Sequence, residues 1–158
     1  MRVTRRRGVV RIGLDEVEIG LLRTLFDDLT DALDVMADDD PVRQRLFPPG
    51  YRDDPAAAGE YRDLTESSLT DQRRARITRA LAELPPTSGE ITLDPDAVQR
   101  WLGVLNDLRL AIGTRLGVDA DTAIDDDLAG ADEADRAARA VYVWLTALLD
   151  RLVEAVMD

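Results

Sequence analysis

The stretch ITLDPDAVQRWLGVLNDLRLAIGTRLG, residues 91–117, decides the fold because it joins a strand-like start to a complete helix. Asp94 is placed to accept a hydrogen bond from the first helical turn, and Pro95 suits the first helical position. Apolar residues then recur at helical spacing as far as Gly117, a residue type that commonly ends a helix. The stretch therefore predicts an amphipathic helix over residues 94–117.

The same strand-to-helix pattern opens the chain. Residues 2–14 alternate in hydrophobicity around Gly8, which predicts a β-hairpin. Asp15 follows as a helix cap, and the helix it starts is predicted over residues 15–37. The triplet at residues 91–93 could add a third strand to the hairpin. An internal duplication would explain the likeness of the two starts, although the general rules of helix capping would produce it as well.

The remaining segments complete a mainly α chain. Residues 38–58 hold several prolines and form a connector of about 20 residues, which exceeds the usual loop length and predicts a functional, partly helical or mobile segment. Residues 59–84 are predicted to be helical, with a break near 65–68, and a last helix is predicted over 132–157. We expect one domain over 1–158, a bundle of four to five helices with a small N-terminal β-hairpin.

The composition excludes most kinds of catalytic site. The chain has 158 residues and a formal net charge of −12, and all of its 20 basic residues are arginine. Without histidine or cysteine there is no histidine-activated nucleophile and no zinc site of the usual ligand types. Without lysine there is no Schiff base and no phosphate-binding loop that depends on a lysine. We therefore expect a protein that is not an enzyme and that has no catalytic residues.

An acidic segment at residues 119–135 invites comparison with calcium-binding loops. In the frame that starts at Asp125, the fifth and twelfth positions are Ala129 and Arg136, where such a loop needs oxygen ligands. The frame that starts at Asp119 fails at the same positions. The segment is better explained as a solvated loop before a helix, so we expect neither a metal nor a cofactor.

The chain shows no pattern of export or membrane insertion. The arginines at positions 5–7 are followed by charged residues rather than by the apolar stretch that a signal peptide requires. No run approaches the ~18 apolar residues of a membrane span. We expect a cytoplasmic protein that makes no membrane contact.

Two clusters of arginine are the first candidate contact surfaces. The first 13 residues hold five arginines and no acid, and a second cluster follows in the helical region after residue 59. Such guanidinium groups could bind phosphates of nucleic acid or an acidic protein surface, or could pair with aspartates of the chain itself. The candidate residues in the two clusters are Arg5, Arg6, Arg7, Arg62, Arg73 and Arg74.

Arg109 is the most unusual charge because leucines and an isoleucine surround it in sequence. A half-buried guanidinium group needs a carboxylate partner, which predicts an ion pair, or else a ligand. Asn106 shares its helix face and could contribute to a ligand site. Gly103 and Gly113, on the same predicted helix, would let another helix approach closely.

Three motifs, taken in order, carry a resemblance that spans nearly the whole chain: RLFPPGY at 45–51, GEYRDLTE at 59–66 and LNDLRLAIGTRL at 105–116. They resemble a family of small actinobacterial proteins, long described as a domain of unknown function, whose members are known as AosR-type oxidative-stress transcriptional regulators. The resemblance implies a mostly helical cytoplasmic protein that regulates through partner proteins or DNA. The positions that match its motifs are Arg45, Phe47, Pro48, Tyr51, Glu60, Arg62, Asn106, Asp107, Arg109, Gly113 and Arg115.

These observations together predict a non-enzymatic regulatory protein that acts through protein–protein contacts, with the transcription machinery as one class of partner. One alternative is a DNA-binding transcriptional regulator that uses the N-terminal arginines, and another is a small-molecule-binding module centred on Arg109. The leucine-rich last helix could also pair two copies into a homodimer. Because the chain has no cysteine, it cannot sense an oxidant through a thiol. The candidate contacts are Arg5, Arg6, Arg7, Arg45, Tyr51, Arg62, Arg73, Arg74, Asn106 and Arg109.

Overall fold

The structure, a computed structural model, describes residues 1–47, 55–118 and 132–157, with side chains between 55 and 118 described from residue 67 onward. It confirms a mainly α fold with five helices and a small antiparallel sheet among the described residues. The elements in chain order are β1 Arg2–Arg6, β2 Val9–Leu14, α1 Glu16–Val35, α2 Pro41–Leu46, α3 Pro55–Glu83, β3 Gly89–Leu93, α4 Pro95–Arg115 and α5 Glu133–Met157.

The sheet has the strand order β1-β2-β3, so the predicted third strand does extend the hairpin. Val10 pairs with Leu93 and Ile12 with Ile91, which places the apolar residues of both strands on one buried face. The hairpin turns at Arg7 and Gly8, whose φ angles are +55° and +80°. Two adjacent positive φ angles are typical of the tight turn whose twist matches that of the flanking strands.

Both predicted helix starts are confirmed. The Asp15 carboxylate accepts a hydrogen bond from the Glu18 backbone N–H at 2.9 Å, and the Glu18 carboxylate accepts one from the Asp15 N–H at 3.0 Å. Asp94 accepts from the Ala97 N–H at 2.7 Å. These bonds satisfy amide groups that have no partner inside the helix, so each start depends mainly on a few adjacent residues.

Glu18 also joins the first helix to both ends of the chain. Its Oε1 atom accepts a hydrogen bond from the Trp144 indole N–H at 3.2 Å and lies 3.1 Å from the backbone nitrogen of Met1. Nearby, Arg5 donates to the Val156 carbonyl at 3.0 Å and Arg151 donates to the Met1 carbonyl at 3.1 Å. The first strand and the last helix are therefore linked by several polar contacts.

Two predictions about the middle of the chain need correction. The connector predicted over 38–58 is partly helical, which was one of the alternatives given for it, since α2 starts at Pro41 with Asp40 as its cap; its end needs correction because α3 begins at Pro55. The predicted break near 65–68 is absent, since α3 runs on to Glu83. Serine and threonine weaken a helix by only a fraction of a kcal/mol each, which is too little to interrupt a long helix. Residues 48–54 and 119–131, including the predicted acidic loop, lie outside the described residues.

One hydrophobic core joins the described elements. Trp101 of α4 is fully buried and meets Phe26 of α1 edge to face, with ring centroids 5.7 Å apart. Leu145, Leu148 and Leu152 of α5 are buried in the same core. The leucines that suggested a homodimer are thus used within the chain itself. None of the described helices is long and apolar enough to cross a membrane.

Candidate functional site

A buried ion pair lies where α2, α3 and α4 meet. Asp107 of α4 is only 6% exposed, and its Oδ2 atom lies 3.1 Å from Nε of Arg73 and 3.7 Å from Nη2 of Arg76. Arg73 also donates to the Leu46 carbonyl at 2.9 Å, and its guanidinium group lies 4.7 Å from the centre of the Phe47 ring. Arg73 therefore fixes α2 and α3 to one carboxylate of α4.

Burial raises the pKa of Asp107 above the ordinary value for aspartate. The charges of Arg73 and Arg76, and the hydrogen bond from Arg73, act in the opposite direction but do not compensate fully. Removing a carboxylate from water penalises its charged form, and two partly buried guanidinium groups recover only part of that loss. The pair is thus a structural contact whose ionised form is costly to maintain.

The second predicted arginine cluster is largely paired within the chain. Arg74 forms ion pairs with Asp34 of α1 and with Asp71, the latter at 3.6 Å. Together with the Arg73–Asp107 pair, these contacts match the alternative in which the cluster pairs with aspartates of the chain. The side chain of Arg62, on α3, and the whole of Tyr51 lie outside the part of the chain that is described.

Gly103 and Gly113 do allow a close approach, but by side chains rather than by a helix backbone. A Cβ atom at Gly103 would collide with the Arg76 guanidinium group, and one at Gly113 would lie 2.9 Å from Cε2 of Tyr142. Gly103 thus makes room for the arginine that supports Asp107. Gly113 makes room for an aromatic ring of α5 beside the last turns of α4.

That ring borders an open cleft of about 740 Å³ between α2, α4 and α5. The cleft, here called the arginine cleft, brings Arg45 of α2 and Arg109 of α4 together, so two predicted contact residues share one site. The ion pair predicted for Arg109 is not found among the described residues, where its buried Nε has no hydrogen-bond partner. Asn106 is half-buried and is not part of the described lining.

The N-terminal arginines divide between the two faces of the sheet. Arg2 and Arg6 lie on the solvent face, where the strand register also places Arg11, and Arg7 is exposed at the turn. Arg11 is 3.3 Å from Glu90, the acidic residue on that face. Arg5 points the other way and donates to the carbonyl of Val156. We call Arg2, Arg6, Arg7 and Arg11 the basic sheet face.

Comparison with known proteins assigns the chain to a family. The profile described as "Domain of unknown function (DUF2017)" matches residues 1–156, which is nearly the whole chain. The chain belongs to this family. The resemblance drawn from the three sequence motifs is thereby confirmed.

Curated relatives of this DUF2017 member are mycobacterial proteins that carry the name AosR. The protein of Mycobacterium leprae is 31% identical over 132 residues, which cover 75% of this chain and 59% of the relative. Proteins of Mycobacterium bovis and Mycobacterium tuberculosis H37Rv, both named oxidative stress regulator AosR, are 31% identical over 131 residues with the same coverage. The chain therefore spans about three-fifths of the length of these relatives. No solved structure matches it.

The role of Asp107 was not predicted from the sequence, where the residue stands out only as a position that matches the family motifs. A signal was present, because Val104 and Ala111 lie three residues before and four residues after it, on the buried face of α4. An acid within an apolar stripe predicts a buried partner. The partners could not be named in advance, since Arg73 lies 34 residues away in sequence.

Proposed function

We propose that this chain is a non-enzymatic, cytoplasmic regulatory protein that acts by binding a partner protein through the basic sheet face. The observation that carries the proposal is the grouping of Arg2, Arg6 and Arg11 on the solvent side of the sheet, with Arg7 at its turn. Glu90 offsets one of these four charges. Because the whole chain carries a net charge of −12, this cluster of exposed guanidinium groups favours contact with a partner in one orientation, through the cluster itself.

The names of the mycobacterial relatives support a regulatory role. Those proteins are named oxidative stress regulators, and the matched segment covers about three-fifths of their length. The present chain has no cysteine, so it does not sense an oxidant through a thiol of its own. We place components of the transcription machinery first among candidate partners.

Charge favours a protein partner over DNA. Arginine forms paired, charge-assisted hydrogen bonds with carboxylates as readily as with phosphates. A chain with a net charge of −12 is repelled at long range by a DNA backbone, whereas an acidic patch on a protein presents far less total charge. The basic sheet face therefore suits a partner protein with a local acidic surface.

The test is affinity capture from the native host, followed by mass spectrometry, with two matched double variants. Arg2→Gln with Arg6→Gln removes two charges from the basic sheet face. Arg79→Gln with Arg115→Gln removes two exposed charges from helices elsewhere. We expect one or more specific partners to be lost only from the first variant. Retention of every partner by the first variant, with unchanged circular dichroism, would refute the proposed surface.

Direct DNA binding is the second candidate, and the exposure of Arg6 and Arg7 at the tip of the hairpin favours it. The affinity of such binding falls steeply as salt is added. The logarithm of the binding constant decreases with the logarithm of the salt concentration, with a slope of about −0.9 for each phosphate contacted. We expect no salt-dependent mobility shift with genomic fragments from the host. A saturable mobility shift that strengthens as the salt concentration is lowered, and that is lost in Arg6→Gln, would favour direct DNA binding over the partner-protein proposal.

A further inference from the structure

The arginine cleft is formed by side chains from three helices. Arg45 comes from α2, Arg109 and Leu110 from α4 and Tyr142 from α5, and Val118 lies just beyond the end of α4. Its volume of about 740 Å³ lies within the range of small-molecule sites, about 300–1,000 Å³. The described residues leave the cleft open to solvent on one side.

Arg109 differs from the other half-buried arginines that the structure describes. Arg73 and Arg76 share Asp107, Arg100 pairs with Glu83, and the remaining ones also have partners: Arg23, Arg43, Arg74 and Arg139. Within the described ranges Arg109 is set apart by having no ion pair; its buried Nε also has no hydrogen-bond partner, a state that the Nε atoms of Arg76 and Arg100 share. A partly buried guanidinium group without a counter-charge is unfavourable, which calls for an anion from outside the chain.

We propose that the arginine cleft binds a small phosphate monoester between Arg45 and Arg109. The two guanidinium groups contribute a charge of +2, and none of the described lining residues is acidic. A phosphate monoester carries a charge of about −1.5 to −2 near pH 7, which matches this sum better than a single carboxylate does. Each planar guanidinium group can also bind two phosphate oxygens at once.

The remaining lining suits the organic part of such a ligand. Leu110, Val118 and the ring of Tyr142 give the cleft apolar surface beside the two charges. Gly113 is required for this arrangement, because a Cβ atom there would displace the Tyr142 ring. Thr114 donates its hydroxyl hydrogen to the Leu110 carbonyl at 2.7 Å, so the two guanidinium groups are the charged donors that the described lining offers to the anion.

The experiment is isothermal titration calorimetry of the whole chain at low salt with phenyl phosphate, benzoate and inorganic phosphate. We expect saturable one-to-one binding of phenyl phosphate, with inorganic phosphate weaker because it lacks the apolar group. Benzoate should bind at least about tenfold more weakly because it carries a single negative charge. Benzoate binding as tight as that of phenyl phosphate would overturn the assignment to phosphate.

Variants locate the site. Arg45→Met and Arg109→Met should each weaken phenyl phosphate binding at least about tenfold, as expected for the loss of a charge-assisted hydrogen-bond pair. Arg115→Met is the matched control, because Arg115 lies on the same helix but is exposed and is not part of the described lining of the cleft. Far-UV circular dichroism checks that each variant is folded. If Arg109→Met fails to fold, the Arg45→Met variant still tests the site, because Arg45 is exposed on α2.

Two further outcomes would refute the proposal: no saturable binding at millimolar phenyl phosphate, or an equal loss in Arg115→Met and the two cleft variants. The measurement needs no partner protein. The arginine cleft and the basic sheet face can therefore fail independently of each other.

Discussion

Asp107 lies where three helices meet, and burial penalises its charged form. Burial raises its pKa even though Arg73 lies 3.1 Å away and Arg76 supports the same oxygen. Buried ion pairs of this kind frequently contribute little net stability, while the removal of one partner leaves an uncompensated charge. We infer that the pair chiefly determines which helices meet.

Asp107→Asn should destabilise the fold by about 2–3 kcal/mol, because Arg73 would remain buried without a counter-charge. Asp34→Asn is the matched control: it breaks the pair with Arg74, in which both side chains are substantially exposed, and should cost less than about 1 kcal/mol. Urea unfolding of both variants gives the comparison. Equal losses would show that burial adds nothing to the importance of Asp107.

Arg73→Met should change how stability depends on pH. Loss of the nearest guanidinium group raises the pKa of Asp107 further above its value in the unfolded chain. Between the pKa of the unfolded chain, about 4, and the higher pKa of the folded state, the folded state holds a proton that the unfolded state has released. The stabilisation that this proton gives is fully present below about pH 4 and is lost as pH rises through the folded pKa.

We therefore expect Arg73→Met to lose more stability between about pH 4 and pH 7 than the parent chain does. Arg74→Met, whose guanidinium group pairs with Asp34 and Asp71, serves as the control and should retain the parent's pH slope. The measurement is urea unfolding at several pH values. A variant slope equal to that of the parent would contradict the role given to Arg73.

At the scale of elements, the two capped helix starts were predictable because their contacts are local. Asp15 and Asp94 each bind an amide three residues along the chain, so sequence spacing alone places both helix starts to within a residue. A partly helical connector was one of the alternatives for residues 38–58, but the bounds of the helix at Pro41–Leu46 were not predicted because six residues give too little periodicity to recognise. The continuity of α3 was missed because serine and threonine are poor but tolerated helix residues.

The candidate sites were predictable only in part. The exposure of Arg6 and Arg7 follows from a hairpin with one buried face. The meeting of Arg45 with Arg109, and of Arg73 with Asp107, depends on how helices far apart in sequence pack. Composition and spacing carry no such information, and they led us to expect an ion pair at Arg109 that the described residues do not contain.

Two glycines in helices should respond oppositely to alanine. Gly20 lies in open space on α1, so Gly20→Ala should stabilise the fold by about 0.5–1 kcal/mol through helix propensity. Gly113→Ala places a Cβ atom 2.9 Å from the Tyr142 ring. It should destabilise the fold by about 1–2 kcal/mol, although alanine brings the same gain in helix propensity there. Thermal and urea unfolding test both. A stabilising Gly113→Ala would show that the ring shifts freely.

At the scale of the whole molecule, the net charge of −12 acts against the compact state. Added salt screens this repulsion, while the exposed ion pairs that it also weakens contribute little. We expect NaCl up to about 0.3 M to raise the free energy of unfolding by about 1 kcal/mol. Choline chloride at equal concentration should have the same effect if screening is the cause. A decrease in stability with either salt would contradict this balance.

Glu18 should couple the rates of amide hydrogen exchange at the two ends of the chain. One carboxylate caps α1, accepts the Trp144 indole N–H and lies beside the Met1 nitrogen, while Arg5 and Arg151 join the first strand to the last helix. Chain ends normally fray separately and exchange their amide protons first. Here the amides of β1 and of the last turns of α5 should exchange with deuterium at a common rate, and Glu18→Ala should accelerate both ends together.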